Sequence, residues 1–288
     1  MNSMQFEGVN QELSTLISAN LHAGKVKWLE GKLSVITANK STKDLYLTYS
    51  LLASKIDANE ALKTSSSTSE VVSYLKEHNA TLLQTARIYL LAHVLIIDKE
   101  FFVSKVANIF QVADTSELET FLKFLVLLPN SGDYKVTAVD TLRTNIETIF
   151  DAIALHNPYP SLHFNDQQWN QMYLKAAFLQ RDLHAIIGID KRANKELTRI
   201  ISDYAHERWA ASRDIEPYFW RPVSNFIEGE VLNDMKRLFK SENRIEQYAA
   251  ALCCYASDKP KAKELLGNYP KLLKKVENKE VDWGNFKG

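Results

Sequence analysis

The residue types that could do chemistry in this chain are concentrated between His156 and Pro222. Within that stretch lie His156-Asn157-Pro158-Tyr159-Pro160, Trp169-Asn170 followed by Lys175, Asp190 with Arg192 and Asn194, and His206 with Arg208 and Trp209. Amides, imidazoles, cations and aromatic rings are thus gathered in one segment. Arginine is well shaped to hold a phosphate or carboxylate, because its planar fork donates two parallel hydrogen bonds. At ~100° per residue, Ala193, Leu197, Ile200, Ile201, Tyr204 and Ala211 form one helical stripe, and Arg208 falls within it. A guanidinium taken out of water without a partner is very costly. Arg208 is therefore expected to face a carboxylate, a group of carbonyls or an anionic ligand. Asp166, Asp190 and Asp203 are the nearest carboxylates in sequence, and Lys175, Arg192 or Arg213 could share an anion with it. A buried ion pair joining two helices is the competing reading.

Metal and nucleophile templates fail on spacing. Asp203 and His206 form the only Asp/Glu-x-x-His pair, whereas a di-iron carboxylate bundle uses two such motifs and two further carboxylates. His206-Glu207 is followed by Ala210 where a zincin needs a second histidine. Seven histidines and the adjacent Cys253 and Cys254 give no structural zinc pattern. Phosphate-binding glycine loops, the Gly-x-Ser-x-Gly elbow and an aspartate-rich metal motif are all absent. The expectation is no resident metal and no cofactor. The two cysteines read as small buried hydrophobes in a reducing compartment.

These groups must be positioned by helices. Glycine and proline are scarce, at nine and seven, and no strand-like alternation of any length occurs. Helical spacing recurs from Leu13 onward, through runs near 29–36, 45–56, 81–97, 101–110, 116–128 and 135–155. Further helices are expected at 166–179, 191–213, 229–240, 243–256 and 260–275, with a loop at Thr64–Ser69 and a turn at Pro129–Gly132. Asn165 and Gln168 form a capping arrangement at the start of a helix whose Trp169, Met172, Tyr173 and Ala176 share a stripe. Leu174 and Phe178 lie opposite, so that helix is expected to be apolar on both sides. The fold class is all-α, built of stacked antiparallel pairs in a HEAT-like or other α-solenoid, or as an irregular bundle. One helical domain is expected over 1–288, although the length also allows two packed domains.

Thirty-five basic residues balance thirty-five acidic ones, which argues against non-specific nucleic-acid binding. The most apolar run, Ile88 to Ile97, is half the ~20 residues a membrane span needs. The first residues carry no basic and apolar leader, so a cytoplasmic location is expected.

Several of these segments together resemble the EboA family. They are Arg143-Thr144-Asn145, His156 to Pro160, Trp169-Asn170-Gln171-Met172 with Lys175, Asp190 to Asn194, and Asp203 to Ala210. The motif core spans 135–225, residues 1–130 match only as helices, and 229–288 supplies C-terminal helices. The resemblance implies an all-helical protein of the bacterial Ebo gene cluster, alongside a UbiA-like prenyltransferase, a sugar-phosphate cyclase and hydrolase-like proteins. It links the chain to making or exporting a small secondary metabolite, and carries over no catalytic residues. Two readings follow. In the first, a non-catalytic accessory protein binds a metabolite or a partner enzyme through His156, Asn157, Tyr159, Trp169, Asn170, Lys175, Asp190, Arg192, Asn194, His206, Arg208 and Trp209. In the second, Asp190, His206 and Arg208 converge on an anionic or prenylated substrate.

Overall fold

Helical periodicity without strand alternation yields helices throughout. The computed structural model describes residues 6–64 and 69–285, and eighteen α-helices with five 3-10 turns account for its regular structure. Among the described residues no strand forms, only one isolated bridge between Ala61 and Thr81. Among the described residues no helix is long and apolar enough to cross a membrane. The contacts divide the chain into two compact units, Met1–His163 and Phe164–Gly288.

In the first unit the apolar run becomes the Leu82–Ile97 helix, capped by reciprocal Thr81 and Gln84 bonds. It is buried on nearly every side and packs against the Val9–Asn20, Ala23–Ala38, Lys99–Ala107 and Thr115–Lys123 helices. That placement makes it the core helix expected from its composition; only Ile96 and Ile97 at its end are exposed. Most of the Thr64–Ser69 loop lies outside the described residues, but the Ser69 hydroxyl caps the Glu70–Glu77 helix. The single helix expected over 135–155 is two, Lys135–Thr141 and Glu147–Ala154. Thr144 Oγ1 accepts from the Ile146 amide and diverts the backbone between them, leaving Ile146 exposed.

In the second unit the Arg244–Ala256 helix is central. It packs against the Pro217–Phe226 turn and the Gly229–Phe239, Pro260–Gly267 and Pro270–Glu277 helices. Its small face, Ala249 to Ala251 with Cys253 and Cys254, is fully buried. The cysteines are free thiols, as their neighbouring positions imply. Pro270 splits the expected 260–275 helix. Phe178 is exposed, so the Asp166–Phe178 helix buries one face instead of two.

Candidate functional site

Asn194 organises the region that the sequence singles out. Its side-chain oxygen accepts from the Leu197 amide at 2.8 Å, so the helix starts at Lys195 and the run expected from 191 is cut in two. The short Ile189–Arg192 helix precedes it. Asn194 also exchanges paired bonds with the buried Asn170, at 2.9 and 3.2 Å, and donates to the Arg192 carbonyl at 3.1 Å. Asn170 sits on the Asp166–Phe178 helix, whose Asn165 and Gln168 cap each other as expected. The amide pair therefore fastens two helices.

Arg192 joins the same corner. Its guanidinium lies 5.1 Å from the Trp169 ring centre and donates to Asp166 at 3.1 Å. Beside these contacts lies a cavity of about 510 Å³ lined by Asp166, Gln167, Asn170, Gln171, Asn194, Lys195, Glu196 and Ile200. Four of the singled-out residues, Trp169, Asn170, Arg192 and Asn194, meet at or beside it.

The Lys195–Ala210 helix buries Leu197, Thr198, Ile201, Ser202 and Ala205. This stripe is rotated from the one that placed Arg208 inside, because Thr198 and Ser202 are buried by satisfying polar partners. Arg208 is half-buried and donates from Nε and Nη2 to the Asp214 carbonyl, at 3.0 and 2.6 Å. A carbonyl, not a carboxylate, answers it. The acids nearest in sequence go to other arginines: Asp166 to Arg192, Asp203 to Arg199 and Asp190 to Arg221 in a two-pronged contact at 2.8 and 2.5 Å.

His206 finds a partner that no local motif announces. Its Nε2 lies 2.7 Å from Asp234 Oδ1, and Ser202 Oγ donates to Asp234 Oδ2 at 2.6 Å. Asp234 is 2 % exposed, and burial raises its pKa above the ordinary carboxylate value. Glu230 stands one turn earlier on the same helix and completes a His-Glu-Asp group. Asp234 was legible by the test applied to Arg208, since it falls among Val231, Met235 and Leu238 on the buried stripe of its helix.

Trp209 belongs to a second cavity of about 740 Å³. Arg213, Lys236, Arg237 and Lys240 line it, with Asp214 and Glu246. Arg237 stacks 4.0 Å from the Trp209 ring centre, whose neighbour is the buried Trp220. Lys175 is half-buried, and burial lowers its pKa.

His156, Asn157 and Tyr159 belong to the first unit. Asn157 is buried, donates to the Leu122 and Ala152 carbonyls, and accepts from the Tyr159 amide. Tyr159 is buried and donates to the Ser131 carbonyl at 2.8 Å. The exposed His156 has a left-handed backbone, φ 53°, and its carbonyl meets His78 Nε2. Asn157 and Tyr159 are therefore turned inward and offer no exposed surface.

The amide-lined corner, the Asp203–Ala210 turns and the His156–Pro160 bend all fall within one family match. A family model described as metabolite traffic protein EboA matches residues 9–224. The chain belongs to the EboA family. No curated protein and no solved structure matches it. In EboA terms, the amide-lined cavity lies wholly inside the matched segment, whereas Asn233 to Glu246 of the basic cavity lie beyond it.

Proposed function

We propose that this EboA-family chain is a non-catalytic accessory protein of the cytoplasm. It binds a small metabolite in the amide-lined cavity, itself or in concert with a partner protein of the same cluster, and aids the metabolite's synthesis or export. The observation that carries this reading is the Asn170–Asn194 amide pair lining one cavity inside the family segment, with Arg192 stacked on Trp169 and bonded to the lining residue Asp166. Amides both donate and accept, so the cavity suits a ligand rich in hydroxyl, carbonyl or amide groups. The carboxylates at its mouth are already paired, Asp166 with Arg192 and Glu196 with Arg199, and no histidine or cysteine lines it. Support for binding over catalysis also comes from Asp190, His206 and Arg208, which do not converge but contact Arg221, Asp234 and the Asp214 carbonyl respectively.

The test uses Gln171→Trp, at an exposed rim position, to fill the cavity without touching the amide pair. Wild type and variant are incubated with extract of cells expressing the remaining cluster, then analysed by native mass spectrometry. Retention by wild type and loss in the variant, at equal melting temperature, is the expected result. Equal retention by both overturns the assignment. The basic cavity supports a second reading, an anionic metabolite held by Arg213, Lys236, Arg237 and Lys240. A ligand kept by Gln171→Trp but lost by Lys240→Glu moves the site there.

A further inference from the structure

Asp234 is buried with no permanent cation beside it. Among the described residues two carboxylates are buried, Glu117 and Asp234. Glu117 is met by the equally buried Arg87, a permanent cation, at 3.6 Å. Asp234 has only a serine hydroxyl and the His206 imidazole, and no lysine or arginine bridges it. Glu230 places a carboxylate oxygen within 4.8 Å of the same group. Two acids therefore share one imidazole where a net positive charge would be stabilising.

We propose that His206, Glu230 and Asp234 bind a first-row divalent transition metal of the Zn²⁺ class. One ligand atom from each residue lies within 4.8 Å of the other two. Glu230 and Asp234 are four apart on the Gly229–Phe239 helix and so share a face, while His206 comes from the Lys195–Ala210 helix. The metal would join the two helices. An imidazole with two carboxylates suits Zn²⁺, Mn²⁺ or Fe²⁺, whereas Ca²⁺ and Mg²⁺ favour all-oxygen shells. Three protein ligands leave a position open for water or another ligand.

Separations of up to 4.8 Å must settle to tetrahedral spacing by movement of the exposed Glu230 and His206 side chains. Ligand atoms about 2.0–2.2 Å from a tetrahedral ion stand about 3.3–3.6 Å apart. The 2.7 Å His206–Asp234 contact must therefore open by somewhat under ~1 Å. The His206 side chain is 42 % exposed and free to give that room, whereas buried Asp234 is held by Ser202. Such an outer hydrogen bond orients a ligating carboxylate. This site does not depend on the amide-lined cavity, with which it shares no lining residue.

Chelator-treated full-length protein is titrated with Zn²⁺ by calorimetry, and the metal retained after dialysis is counted by elemental analysis. Wild type is expected to take up about one equivalent, with Glu230→Gln and His206→Gln each weakening binding at least about tenfold. Zn²⁺ should raise the melting temperature of wild type and leave that of Glu230→Gln unchanged. Both side chains are at least partly exposed, and circular dichroism is used to check that the variants fold. Absence of binding in wild type overturns the proposal. So does binding of equal affinity in both variants, which puts the metal elsewhere.

Discussion

Removing the side chain of Asn194 should loosen the whole amide corner, because one residue does three jobs. Its oxygen caps the Lys195–Ala210 helix, its amide pairs with Asn170, and it also ties down the Arg192 carbonyl. Loss of an asparagine cap costs about 1 kcal/mol. Asn170 is 3 % exposed, so stranding its amide adds about 1–3 kcal/mol. Asn194→Ala is therefore expected to destabilise the protein by about 2–4 kcal/mol. Asn194→Ser keeps an oxygen in cap position but deletes the amide, so its loss should be about the second part alone. Equilibrium urea unfolding followed by tryptophan fluorescence measures both, with an unchanged m-value licensing the comparison. In a double-mutant cycle with Asn170→Ala the two losses should fall short of additivity by about 0.5 kcal/mol or more. An Asn194→Ala cost under about 0.5 kcal/mol, or strict additivity, refutes the view that this pair clamps the two helices.

Arg87→Met leaves Glu117 buried without its cation and should cost about 3–5 kcal/mol, while Arg87→Met with Glu117→Met should recover most of that loss in the same denaturation assay. Burial lowers the pKa of His93, and burial together with Lys135 lowers that of His163. Since the folded state resists protonating them, their contribution is present above the ordinary value of 6.5 and lost as pH falls below it. Melting temperature should drop on acidification through that window, and the drop should shrink in His93→Gln/His163→Gln. Burial pushes the Cys254 thiol up to about 12 and the Cys253 thiol upward as well. A disulfide-exchange reagent at neutral pH should find neither thiol in the native protein and both in denaturant; rapid native labelling contradicts their placement.

Fold class was legible because helical periodicity is local. Leucine spacing marked the Val9–Asn20 and Ala23–Ala38 helices, and the Asn165/Gln168 cap was readable from four residues. Helix breaks were less legible where a side chain captures its own backbone, as Thr144 and Asn194 do. At the candidate site, sequence alone marked Trp169, Asn170, Arg192 and Asn194 as unusual. It put the costly buried charge at Arg208, yet the tertiary structure gives that role to Arg87, Glu117 and Asp234. The stripe estimate fails at Arg208 because burial depends on which neighbour covers a face, and a side chain one turn from a helix end reaches water or a loop carbonyl. The residue chemistry available between His156 and Pro222 was readable from the chain alone. Only tertiary structure decided that Asn170 meets Asn194 across 24 positions and that His206 meets Asp234 across 28. Such pairings follow from helix packing, which no local spacing encodes.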